Sequence, residues 1–215
     1  VLTAVVAPAV AQHYADRRSP VLLISVMAGV SVDIIERVLA AAVNGLSSAT
    51  SHRIVRTMPN TPMLVGSGAC GYVLGPCAGA EEELITTSMF QPISLCVRVG
   101  SESQLNAVTG LSGSGPAFVA AFLEALADGG VYCGLPRDVS NKLALQTVLG
   151  TAHLLAADPT FKRSGSTLAL KEAVSSPGGT TIHGILALEE AGLRAAAAKA
   201  VIAAAARSDA LSKLQ

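Results

Sequence analysis

The sequence predicts an α/β domain followed by an all-helical domain. Three observations carry this. Short apolar runs of strand length alternate with helical stretches through the first hundred residues. Past Ser101 the β-type runs stop and long helical periodicity takes over. Finally, 51% of the 215 residues are hydrophobic, enough to bury a core in each part. The change of pattern at Gly100–Glu102 divides the chain into 1–101 and 102–215.

In the first part, Leu2–Val6, Val21–Met27, Arg53–Met58, Cys70–Leu74 and Leu95–Val99 read as strands. Ser31 is placed to cap a helix over Val32–Val43. Ala80–Met89 reads as a second helix, with Glu81, Glu82 and Glu83 complementing the positive end of its dipole. In the second part a helix starts at Pro116, carries Phe118, Phe122 and Leu126 on one face, and ends at Gly129-Gly130 or Gly134. Another runs from Arg137 to Asp158 and closes against Pro159. Pro159–Thr167 reads as a polar loop, followed by a short helix to Val174, a turn, a helix to about Ala191, Gly192, and a last helix to Leu214. These faces are too apolar to stay wet, which points to burial against another subunit.

Composition excludes several classes. Fifteen basic and fifteen acidic side chains cancel, and three Tyr, four Phe and no Trp leave little to stack on bases, so nucleic acid is not an expected partner. The apolar stretch Val21–Val32 is closed by Asp33, short of the roughly 20 residues a span needs. Ala195–Ala206 has Lys199 in its middle and reads as a closely packed small-residue helix, so no membrane association is expected. Cys70, Cys77, Cys96 and Cys133 form no CxxC pair and lack a His at zinc spacing; they read as buried free thiols, with no metal site. No secretory or transit signal is recognisable, giving a cytoplasmic expectation, and the missing initiator Met suggests an incomplete chain.

The most informative run is Ser175-Ser176-Pro177-Gly178-Gly179-Thr180-Thr181-Ile182-His183. Pro177 and the two glycines make a sharp turn that a ligand can approach closely. Thr180 and Thr181 then stand where the unpaired N–H groups of a helix start attract an anion such as a small carboxylate. An ordinary capped helix start is the competing reading of these residues alone. A second run, Thr109-Gly110-Leu111-Ser112-Gly113-Ser114-Gly115-Pro116-Ala117, lies upstream.

Other signals are weaker. Gly66-Ser67-Gly68-Ala69-Cys70-Gly71 satisfies the GxGxxG string, yet it leads into the strand Tyr72-Val73-Leu74 rather than a helix, so it is not a phosphate turn. Met58-Pro59-Asn60-Thr61-Pro62 ends an apolar strand with a stiff loop, suited to wall a flat ring, and Val26-Met27-Ala28-Gly29-Val30 places small residues after another strand. A structural turn is the equal alternative for both. Glu102 at the junction could pair with a substrate amine or simply start a helix. His183 reads as a structural histidine.

Taken as a set, Met58–Pro62, Thr109–Ala117, Leu126-Ala127-Asp128-Gly129-Gly130, Gly134-Leu135-Pro136-Arg137 and Ser175–Thr181 resemble pyrroline-5-carboxylate reductase over nearly the whole chain. The resemblance implies a partial Rossmann-like domain for NADPH or NADH over 1–101, and a helical dimerisation and substrate domain over 102–215. It also implies a homodimer or larger homo-oligomer and the reduction of pyrroline-5-carboxylate to proline. It implies that Thr180 and Thr181, with Ser176 and Gly179, hold the substrate, Thr181 being the candidate for proton delivery. Glu102 would be a further substrate contact, with Val26, Met27, Ala28, Pro59 and Asn60 lining the cofactor. The family's opening strand, glycine-rich phosphate turn, helix and second strand have no counterpart, which puts them ahead of Val1, and Ala4-Val5-Val6-Ala7-Pro8 lacks the family's lysine. An alternative is a catalytically incompetent fragment acting only as a helical dimerisation module. A related hydroxy-acid or imine dehydrogenase would need a catalytic lysine, and Lys142 and Lys171 sit in no such pattern.

Overall fold

The computed structural model describes residues 2–17, 21–42 and 52–213. Four strands, β1 (Leu22–Ser25), β2 (Arg53–Pro59), β3 (Gly68–Leu74) and β4 (Ser94–Arg98), form one sheet in the order β1-β2-β3-β4. The pairs β1/β2 and β3/β4 are parallel, while β2/β3 is antiparallel through the 3-10 turn Thr61–Val65. The sheet is accompanied by α1 (Ala7–Arg17), α2 (Val32–Ala42), α3 (Ala80–Phe90) and α4 (Glu102–Val108). The remaining helices are α5 (Gly115–Tyr132), α6 (Arg137–Ala157), α7 (Pro159–Ser164), α8 (Leu168–Ala173), α9 (Thr180–Glu190) and α10 (Leu193–Lys213). The expected α/β part followed by helices is therefore present. Val43 and Leu214, the expected ends of two helices, lie outside the described residues.

Two segments depart from expectation. Leu2–Val6 is a π-helical turn leading into α1, not a strand. A five-residue apolar run is ambiguous by period, and here Ala7 and Val10 of the following helix bury against Val32, Ile35 and Leu39 of α2 and Ile54 of β2. Pro159–Ser164 is a helix rather than a loop. Asp158 caps it by accepting from the Thr160 amide at 2.7 Å, Pro159 occupies its first position, and Gly165 ends it at φ +66°. Two of the four thiols also differ: Cys70 is buried and Cys96 half-buried, but Cys77 and Cys133 are exposed. Burial pushes the Cys70 thiol up to about 11, which makes it a poor nucleophile.

The chain forms two compact units, Val1–Pro116 with Ala200–Gln215, and Ala117–Lys199. Compactness therefore divides the chain at a different place from the change in composition near residue 101. The reason is that α4 and the end of α10 pack with the sheet. Leu105 of α4 is fully buried with Met58 and Val73, and the Ser208 hydroxyl donates to Asn106 Oδ1 at 3.0 Å. Gly110 permits this approach. A Cβ built there would lie 2.6 Å from the Val201 carbonyl oxygen and 2.8 Å from the Ala205 amide nitrogen. Both are backbone atoms that cannot swing aside, so Gly110→Ala is expected to destabilise by about 1–3 kcal/mol, read as a lowered urea midpoint. A wild-type midpoint would show that α10 yields freely.

Helix α3 packs through polar contacts, with Glu83 accepting from the Tyr72 hydroxyl at 2.7 Å and from Arg98 at 3.0 Å. Burial and the Glu83 carboxylate push the Tyr72 hydroxyl up to about 12. Glu82 accepts from the Gly79 amide and pairs with Arg53, and the amide contact leads in holding its carboxyl below the usual range. His52, buried at the head of β2, has its pKa lowered by burial. The folded state thus binds the proton less well than the unfolded chain, whose imidazole titrates near 6.5. Stability is expected to be full above that value and to fall as the pH drops below it, and His52→Gln should flatten this slope in urea titrations between pH 7.5 and 5.

The Ala117–Lys199 unit is built differently. Of its helical residues only Ala127, Ser140 and Ala144 are buried, whereas Phe122, Leu126, Leu143, Leu145 and Leu154 are exposed. The helical run Glu102–Tyr132 is long and apolar enough, by length and composition, to cross a membrane. Its first turns, however, carry the Glu102 ion pair and the buried Asn106.

Candidate functional site

Because β1 and β2 are parallel and in register, Ser25 opposite Arg56, their carboxyl ends lie side by side. That end of an α/β sheet is where loops are free to face a ligand. After Ser25 the chain turns through Val26, Met27 and Ala28 to Gly29, whose φ of +76° is the left-handed conformation that glycine adopts without strain. Val26 and Ala28 are exposed and Met27 is half-buried. The turn is held at its start: the Thr57 hydroxyl donates to the Ser25 carbonyl at 3.0 Å, and the Met27 amide donates to Ser25 Oγ at 3.3 Å.

Pro59 ends β2, and Asn60 follows it with its side-chain amide engaged on both sides. Oδ1 accepts from the Ala69 amide at 2.8 Å, and Nδ2 donates to the Ser112 carbonyl at 3.0 Å. The Met58–Pro62 loop is thereby fastened to β3 and to the π-helical segment Thr109–Gly113. The nearby GxGxxG string is structural: Gly66 caps the 3-10 turn at φ +70°, and Gly68 opens β3.

Glu102, at the first position of α4, is more committed than its sequence context suggested. Its Oε1 accepts from Arg56 Nη1 at 2.8 Å and from the Val32 amide at 3.0 Å. The Arg56 side chain is 1% exposed and that of Glu102 33%. Arg56 is the residue that sequence reasoning missed. Its signal was a lone arginine between Ile54 and Met58, at inward positions of a strand otherwise buried.

The Ser175–Thr181 turn stands in the helical unit. Gly178 has φ +65°, the Gly179 amide donates to the Ser176 carbonyl at 3.0 Å, and Gly179 is the N-cap of the eleven-residue α9. Thr180 and Thr181 are its first two residues, so their amides belong to the first turn, whose N–H groups lack intrahelical acceptors. Ser176 and Thr180 are exposed, and Gly179 and Thr181 are half-buried. His183 turns its Nδ1 to the Gly179 carbonyl at 2.9 Å, a structural contact. Lys142 pairs with Asp138 in α6, at 3.4 Å. The structure thus gathers Val26, Met27, Ala28, Pro59, Asn60 and Glu102 in the sheet unit, and Ser176, Gly179, Thr180 and Thr181 in the helical unit. Among the described residues no cluster of three or more His, Cys, Asp or Glu could hold a metal.

At the end of β1 the side chains of Val26 and Ala28 are exposed, which leaves room for a flat ring beside them, whereas Gly29 is buried and a Cβ there would lie 3.4 Å from Leu211 Cβ. Among the described residues no glycine-rich turn joins a strand to a helix in the way that cradles a pyrophosphate.

Comparison with known proteins gives a consistent result. The family model for pyrroline-5-carboxylate reductase dimerisation matches residues 102–211. A pyrroline-5-carboxylate reductase of Synechocystis sp. is 43% identical over 192 residues, covering 89% of this chain and 66% of that protein. The chain thus spans less than two thirds of the length of the curated relatives it matches. Among solved structures, a pyrroline-5-carboxylate reductase from Coxiella burnetii superposes with a TM-score of 0.85 at 32% identity, over 98% of this chain and 72% of that one. A pyrroline carboxylate reductase of Plasmodium falciparum, solved with NADP bound, gives 0.76 at 30% identity, over 89% and 67%.

Proposed function

The chain belongs to the pyrroline-5-carboxylate reductase family, and on that premise we propose that it acts in the NAD(P)H-dependent reduction of pyrroline-5-carboxylate to proline, as a homodimer or larger homo-oligomer. The observation that carries this reading is the Ser175–Thr181 turn, a left-handed glycine and a glycine N-cap opening an eleven-residue helix within the matched region. It is chemistry for a small carboxylate, and the imine substrate carries one.

In this reading residues 1–101 contribute the dinucleotide half and 102–215 the dimerisation and substrate half. The first-turn amides of α9, with Ser176 and Gly179, take the substrate carboxylate. Thr180 and Thr181 frame the ring, and as the C=N bond becomes C–N the Thr181 hydroxyl hands its proton to the ring nitrogen of the neutral imine and recovers one from solvent water. NADPH or NADH, when bound, supplies the hydride that adds to the imine carbon. Val26, Met27 and Ala28, with Pro59 and Asn60, wall the nicotinamide and exclude water from that face. With that proton reaching the ring nitrogen the imine carbon is strongly electrophilic, so the protein's main task is orientation. Homo-oligomer formation is supported by the exposed Phe122, Leu126, Leu143 and Leu145, which a second copy would cover.

The test is oxidation of NADPH or NADH on addition of pyrroline-5-carboxylate, followed by nicotinamide absorbance with proline identified as the product. Stoichiometric proline is the expected result. A stable oligomer that neither binds a dinucleotide nor forms proline would overturn the reductase reading and leave the helical dimerisation module.

A further inference from the structure

The turn that would face the cofactor is anchored at its start by Thr57 of β2 and at its finish by Glu102 of α4, which the neighbouring β2 residue Arg56 holds. At its start, Thr57 holds the Ser25 carbonyl at 3.0 Å. At its finish, the amide of Val32 donates to Glu102 Oε1, and that same oxygen takes Arg56 Nη1. Arg56 is 1% exposed, and among the described residues its Nε and Nη2 have no hydrogen-bond partner. Among the described residues the ion pair to Glu102 therefore carries most of the compensation for burying this charge, which makes the position of the carboxylate stiff. The pair also stands at a seam in the core. On one side lie Ile54 and α2, and on the other Met58, Val73 and Leu105 of α4. A buried cation between two apolar clusters adds little net stability, yet it fixes where the two helices meet the sheet.

We propose that Arg56 and Glu102 are positioning residues for the dinucleotide: acting as one unit, they hold the Val26–Ser31 turn at the height at which it meets the nicotinamide. This rests on the reductase reading and gives Glu102 a role other than the substrate contact that the family resemblance implies. Neither side chain touches a ligand; both act through the Val32 amide and the start of α2.

Steady-state kinetics of Glu102→Gln, Arg56→Lys and the double variant test this in the full chain. Glu102→Gln keeps an oxygen acceptor but removes the charge. The KM for NADPH is expected to rise about tenfold in each single variant, while the KM for pyrroline-5-carboxylate stays within about twofold. The double variant should be no worse than the poorer single one, as for residues acting as a unit. A rise in the imine KM instead would make Glu102 a substrate contact and overturn the proposal, as would unchanged KM values or multiplicative losses. If the unmodified chain forms no proline, the reductase reading fails separately, and amide hydrogen exchange still decides the positioning. Faster exchange confined to Met27–Val32 in Glu102→Gln supports it, whereas no change, or loosening of the whole sheet, overturns it.

Discussion

Replacing Thr181 by valine is expected to lower kcat for imine reduction by about 10²–10⁴, the usual contribution of one positioned proton donor. Valine keeps the β-branched shape and loses only the hydroxyl. Thr181 is half-buried at the second position of α9, where such an exchange costs little in stability. The loss should therefore appear in turnover, with the unfolding midpoint close to that of the unmodified chain. Thr181→Ser, which retains the oxygen, should recover much of the rate. Equal activity in the valine variant would remove Thr181 from proton delivery and leave the turn as a carboxylate cradle only.

Glu102→Ala is expected to be the most destabilising single change in the sheet unit. It strands the Arg56 guanidinium, 1% exposed, with no ion-pair partner among the described residues, and uncompensated buried charges of this kind cost about 3–5 kcal/mol. The Val32 amide loses its side-chain acceptor in the same step. Urea denaturation measures the effect directly. Removing both charges should hurt far less than removing one, so Arg56→Met with Glu102→Leu is expected to recover most of the midpoint. If the double replacement is as unstable as Glu102→Ala, the cost lies in packing at the seam and not in the stranded charge.

How much of this was legible in advance varies by residue. The strands at Arg53, Cys70 and Leu95 were readable from their apolar length, and the Ser31 cap from a serine set before an apolar helix; its Oγ indeed accepts from the Ile34 amide at 3.2 Å. The GxGxxG string is likewise recognisable as structural from local context, since it runs into strand β3. Pro159–Ser164 reads as a loop from its polar side chains, yet its cap, first-position proline and closing glycine make it a helix, because capping satisfies the end groups of even a short polar turn.

By itself the sequence determined strands β2, β3 and β4, most of the helices after them, the turn chemistry of Ser175–Thr181 and the family, because these depend on local periodicity, on capping and on motifs contiguous in the chain. Only the tertiary structure decided what Arg56, Asn60 and Glu102 do. Their partners lie far off along the chain, Glu102 at forty-six residues from Arg56 and Ser112 at fifty-two from Asn60, and no local pattern encodes a pairing across that distance. The same holds for α10, whose end joins the sheet unit because Gly110, remote in sequence, leaves space for its backbone. Long-range contacts such as these form where surfaces already shaped by local rules meet, and it is the folded geometry that selects which polar groups are enclosed and which partner each must find.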